Sequence, residues 1–161
     1  MWFSMDRSEL RFVDDPKAIR IDASSICPAP PARVFEVLGD PSTWPRWFDD
    51  MRKATWTSPE TAGLGAVRRV TLGLGTFEER MIAWEPGARF SFSIDGASVP
   101  LAKRIVEDWR LSPVDGGKTK LEWSMIVDPT LLSRVLRPAL EPMMKRMFRK
   151  SSEGLERYLL A

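Results

Sequence analysis

Proton-transfer chemistry has few side chains to draw on in this sequence. The 161 residues include no histidine, one cysteine, Cys27, and one tyrosine, Tyr158. The usual general base, the commonest metal ligand and the base of a nucleophile triad are therefore missing together. Cys27 stands just before the Pro28 turn, and without an activating base it reads as a buried, inert thiol. Carboxylates remain, and the one catalytic candidate is Glu107, because it shares its alternation phase with Trp109 and Leu111. A carboxyl on that apolar side has to be paired or meet a ligand, and burial would raise its pKa toward the range useful to a general acid or base. Arg69 or Arg80 would face it only if a bulge shifts the register, since a one-residue slip inverts every side chain. The plainer alternative is an outward charge or a rim ion pair. No carboxylates cluster at metal-ligand spacing, so neither metal nor cofactor is expected.

The second chemical resource is aromatic and methionine surface. Val70, Leu72, Phe90, Phe92, Trp109, Trp123 and Met125 fall on one alternation phase of their strands. Trp44, Trp47 and Phe48 recur at helical spacing in a short segment opened by Asp40-Pro41. Met143 and Met147 lie on the terminal helical pattern, and methionine suits an adaptable lining. Trp84, beside a Glu-Pro-Gly turn, and Tyr158, near the chain end, read as packing residues.

Those residues need elements to hold them. Residues 1–18 have weak periodicity and run into Asp14-Asp15-Pro16, which marks an N-terminal extension with room for an extra strand. The domain expected at 19–161 opens with a period-two strand from Ile19 to Cys27. A short helix follows the prolines at 28–31 and ends at Gly39, and a second one carries Trp44 and Trp47. Six strands then alternate with glycine and proline turns: 54–57, 66–72, 76–85, 89–94, 103–111 and 119–127. After the turn at Asp128-Pro129-Thr130 the spacing is helical to the end. Leu132, Leu136, Leu140, Met143, Met147, Ser151, Leu155 and Tyr158 make the face expected to close the fold, and Pro138 and Pro142 should kink its first turns. The predicted class is α+β: a curved antiparallel sheet of about seven strands around one long C-terminal helix, with two short helices after the first strand.

Two segments carry a family likeness. Ala29 to Trp47, with Pro-Ala-Arg-Val-Phe-Glu-Val-Leu-Gly-Asp-Pro inside it, resembles the opening of the polyketide cyclase/dehydrase and lipid-transport family, within the START-like, or Bet v 1-like, superfamily. Glu78 to Phe90 resembles that family's central hairpin, and Gly116-Gly117 with the terminal helix completes the likeness over about 19–160. The resemblance implies a helix-grip fold whose sheet and helix enclose an apolar cavity, lined by the residues named above and bordered at its mouth by Trp44, Trp47 and Phe48. It implies binding or transport of a hydrophobic small molecule, such as a lipid, polyketide or aromatic metabolite. A cofactor-independent aromatase/cyclase is the alternative, and a protein-interaction module of the same fold is a third.

Composition sets the outer limits. Hydrophobic residues at 43% and charged residues at 29% suit one globular domain. No run approaches the roughly 20 apolar residues of a bilayer helix, so no stable membrane insertion is expected. A formal charge of +2 gives no reason to invoke nucleic acid. The single cysteine and an N-terminus without a basic-then-apolar leader point to the cytoplasm, as a monomer or homodimer. The basic residues Lys145, Arg146, Arg149 and Lys150 read as the solvated side of the terminal helix. Its apolar face is expected to be used in closing the fold, which leaves charge alone as a weak pull toward a lipid surface.

Overall fold

Glycine turns and alternating strands produce the expected meander. The computed structural model describes residues 1–128 and 130–161, without the side chain of Ser133. Pro129, in the expected turn before the terminal helix, lies outside the described residues. In chain order the elements begin with β1 (Phe3–Ser4), a 3-10 turn (Leu10–Asp14), β2 (Ile19–Cys27), α1 (Pro31–Gly39) and a second 3-10 helix (Pro41–Arg46). Then come β3 (Met51–Trp56), β4 (Val67–Leu72), β5 (Thr76–Glu85), β6 (Arg89–Ala97), β7 (Ile105–Val114), β8 (Lys118–Val127) and α2 (Leu131–Leu160). The sheet is antiparallel throughout, in the order β2-β8-β7-β6-β5-β4-β3. Gly116 and Gly117, at φ +78° and +69°, make the β7–β8 turn in a backbone region that side chains resist.

Several boundaries differ from the sequence pattern, each for a local reason. The segment carrying Trp44 is a 3-10 helix, short and tight, with Asp40 accepting from the Ser42 N–H at 2.9 Å and Pro45 inside it. Strand β6 runs through Asp95-Gly96 to Ala97 because β5 stays paired with Gly96 and Ala97 on one side, and β1 pairs with them on the side where the β7 ladder has stopped at Ser93. A bulge between Met81 and Ala83 on β5 flips the phase, putting Met81 and Trp84 on the inner face and Ile82 on the outer. The N-terminal residues Phe12 and Val13 cover Ile82, Val106 and Ile126 in a small second core on that outer face.

The terminal helix departs most from expectation. Only its second half lies against the sheet, through Phe148, Ser151 and Leu155, while Leu132, Leu136 and Met143 are exposed. The apolar positions are spaced by four more often than by three, which exceeds 3.6 per turn, so the stripe winds about a quarter-turn around the helix over its length. The second half is held close: Gly154 sits so near the Trp47 carbonyl that a Cβ would collide with that oxygen.

Candidate functional site

The inner face of the sheet carries three charged residues where its neighbours are aromatic. Arg68 on β4 lies directly opposite Glu79 on β5, and its Nε donates to Glu79 Oε2 at 2.6 Å. The guanidinium is 1% exposed. Its carbon stands 4.0 Å from the Trp44 ring centroid, 5.0 Å from Phe92 and 5.3 Å from Phe90, so aromatic faces replace water around the cation. Nη1 and Nη2 of Arg68 are buried and have no hydrogen-bond partner. Buried unpaired donors on a charged group are costly, and their presence needs a reason.

Glu107 on β7 belongs to the same constellation. It is buried, and its Oε2 accepts from the indole N–H of Trp123 at 2.8 Å and of Trp109 at 3.2 Å. Burial, with the charge of Glu79 adding to it, pushes its pKa up to about 7 against the pull of the two indoles and of Arg68. Glu79 is likewise pushed up by burial, and Arg68 opposes the shift. One guanidinium is therefore shared electrostatically between two buried carboxyls, and one of these is poised to gain or lose a proton near neutral pH. Among the described residues, no three His, Cys, Asp or Glu side chains converge as metal ligands would.

Aromatic packing closes over this group. Trp44, Trp47 and Phe48 form a cluster with ring centroids 4.6 to 5.5 Å apart, and Trp44 also meets Trp109 at 5.7 Å. Phe148 of α2 stacks on Trp123 at 5.2 Å and 11°. A groove of about 360 Å³ runs between β2 and α2 along Ser24, Ile26, Arg149 and Ser152, and Phe148 lines it too. Phe148 thus has one side toward an open groove and stacks on the indole that holds Glu107.

The residues singled out in the sequence distribute as follows. Trp44, Trp47, Phe48, Val70, Phe90, Phe92, Trp109, Trp123 and Met125 are buried in the main core, and Leu72 and Met147 are half-buried against it. Met143 points away, 47% exposed; the side of the helix turned inward carries Met144, Met147 and Phe148 instead. Neither Arg69 nor Arg80 supplies the inward cation: Arg69 pairs with Glu78 and Arg80 with Asp95 on the outer face. Arg68 does, and its phase was available, two positions before Val70 and four before Leu72. Cys27 is buried, its thiol pushed up to about 11 by burial despite a hydrogen bond with Ser25. Trp84 packs edge-on to Phe35 at 5.3 Å, and Tyr158 lies under Arg46.

Residues 18–160 match the family described as polyketide cyclase/dehydrase and lipid transport. The chain belongs to that family. Relatives in Mycobacterium tuberculosis and Mycobacterium bovis, both described as uncharacterized, are 37% identical over 132 residues, covering 80% of this chain and 77% of each relative. Among solved structures, a START superfamily protein from Mycobacterium smegmatis superposes with a TM-score of 0.71 at 10% identity, over 87% of this chain and 96% of that one. Ara h 8.0201 superposes at 0.67 with 16% identity, over 89% and 98%. DynU16, from the dynemicin biosynthetic locus, superposes at 0.63 with 22% identity, over 88% of this chain and 47% of DynU16. These likenesses establish the helix-grip fold, and the polyketide cyclase/dehydrase and lipid-transport family frames the chain's role as hydrophobic ligand binding or cyclase-type chemistry.

Proposed function

We propose that the chain binds a hydrophobic small molecule between the sheet and α2, with an oxygen of the ligand received by Nη1 and Nη2 of Arg68. One observation carries this: the terminal edge of a guanidinium, buried among aromatic faces, has two donors without acceptors. A carboxyl or carbonyl oxygen would satisfy both donors, and the fork geometry suits planar oxygen acceptors. Apolar ligand surface would replace ring-on-ring contacts of the core, entering from the groove as Phe148 turns off Trp123. Lipids, polyketides and aromatic metabolites fit that description, in a cytoplasmic monomer or homodimer.

Native mass spectrometry, followed by organic extraction, tests the idea. The wild type should carry an apolar molecule bearing an oxygen function, or gain thermal stability from such compounds, and Arg68→Met should lose the preference for the oxygen-bearing members of a panel. A protein that is empty and gains stability from no compound would sink the proposal and favour an interaction module.

A second reading is favoured by Glu107. A carboxyl with its pKa near 7, coupled to a cation that has free donors, is equipped for aldol closure of a poly-ketone. Glu107 would take the proton from the carbon between two carbonyls while Arg68 holds the enolate oxygen. That carbon would bond to a second carbonyl carbon, and the new alkoxide would take the proton back before water is lost. No oxidant or cofactor enters. A synthetic poly-β-ketone thioester incubated with wild type and with Glu107→Gln distinguishes the two: product that disappears in the variant supports chemistry, and binding without product supports the carrier.

A further inference from the structure

We propose that the first half of α2 is a docking surface for an anionic lipid membrane. This goes beyond ligand binding and does not depend on it. Leu131, Leu132, Val135, Leu136 and Met143 are all exposed, from 41% to 79%. On a helix, 132, 135, 136 and 143 fall within one stripe together with Ala139, and that stripe is turned away from the Phe148–Ser151–Leu155 side that meets the sheet. Five large apolar side chains on one unpartnered element are more than the scattered exposure ordinary to a protein surface.

Charge decides the occupant. Residues 131–150 contain Arg134, Arg137, Lys145, Arg146, Arg149 and Lys150 against the single acid Glu141. That is a net +5 within a chain whose total is +2, which leaves −3 on everything else. The molecule is electrically two-ended, and an anionic surface would attract the start of α2 and repel the remainder, fixing the orientation before any apolar contact forms. Glu141 pairs with Arg137 and Lys145, Glu153 with Arg149 and Asp49 with Lys150, so the excess positive charge lies chiefly with Arg134 and Arg146 beside the stripe. An apolar stripe flanked by cations is the pattern of a helix lying in the headgroup layer. No helix among the described residues is long and apolar enough to cross a bilayer, so the contact is parallel to the surface.

The test is co-sedimentation of the full chain with vesicles of phosphatidylcholine alone and of phosphatidylcholine with phosphatidylglycerol. Binding is expected only with phosphatidylglycerol, and it should fall steeply as salt is raised. Val135→Glu with Leu136→Glu, and separately Arg134→Glu with Arg146→Glu, should each weaken it by about tenfold or more. All four positions are exposed, so the melting temperature should hold. If the double variants nonetheless unfold, a polarity-sensitive dye on Val135→Cys in the otherwise unaltered chain replaces them, and its emission should shift blue on anionic vesicles. The proposal is overturned by failure of the wild type to sediment with anionic vesicles, or by undiminished binding of both double variants. It is also overturned if light scattering shows a dimer that Leu136→Glu dissolves, which would assign the stripe to a second copy.

Discussion

Glu107 and Asp108 are neighbours on β7, project to opposite faces of the sheet, and are both buried, at 8% and 1% exposure. Their surroundings differ completely. Asp108 accepts from Arg89 Nε at 2.8 Å and Nη2 at 3.2 Å, from Arg110 Nε at 2.8 Å, and from the Ser91 hydroxyl. Burial would push its pKa up, but those donors outweigh burial and hold the carboxyl below the usual aspartate range. Glu107 has two neutral indoles and a cation already engaged by Glu79. One face shows a charge whose needs are met locally, as structure requires. The other shows a buried cation with unpaired donors, and the proposed ligand site rests on that difference.

That contrast can be broken by mutation. Asp108→Ala should cost about 3 kcal/mol of unfolding free energy, because it leaves the largely buried Arg89 guanidinium and the buried Ser91 hydroxyl without their carboxylate, while Arg110 is exposed enough to turn to water. Urea denaturation measures this, and a loss below about 1 kcal/mol would mean the outer cluster is not the structural one. Glu107→Gln should act in the opposite direction. With a folded pKa near 7 against an ordinary 4.5, Glu107 adds no penalty below pH 4.5, where it is protonated folded or unfolded. The penalty grows as pH rises through that window and persists above it, reaching at most about 3 kcal/mol. Glutamine should therefore be stabilising at pH 8 and neutral at pH 4, as parallel denaturation curves would reveal. Asp108 has the reverse sign: its contribution is present at neutral pH and lost as pH falls through its depressed pKa.

Smaller effects sharpen the picture. Trp123→Phe and Trp109→Phe each remove one indole donor that holds the Glu107 pKa down, so a carbon-detected NMR titration should find that carboxyl moved up, further for Trp123, whose bond is the shorter. An unchanged midpoint in both variants would uncouple the carboxyl from the indoles.

Glu107 was legible in the sequence because a carboxylate between two apolar residues of the same phase breaks an otherwise clear alternation. Arg68 and Glu79 break theirs as well, yet their strands are dense in charge. In Val67-Arg68-Arg69-Val70 the phase of Val70 and Leu72 already favours Arg68 over Arg69, whereas in Glu78-Glu79-Arg80 adjacent charges hide which of them turns inward until the pairing of β4 with β5 sets Glu79 opposite Arg68. The order of elements was readable for the opposite reason, since glycine and proline mark turns whatever the tertiary contacts. The pairing of β1 with the end of β6 is a contact distant in sequence, which a local pattern does not encode, and the bulge at Met81–Ala83 breaks the alternation that such a pattern assumes.

The contact of Gly154 with the Trp47 carbonyl makes the terminal helix a cantilever, clamped near one end and unsupported at the other. Side chains elsewhere along it can change while the clamp keeps its axis in place. A methyl group at position 154 would lift the clamp itself and draw Phe148 away from Trp123, so how tightly the interior is sealed rests on the hydrogen atom that glycine has in place of a side chain.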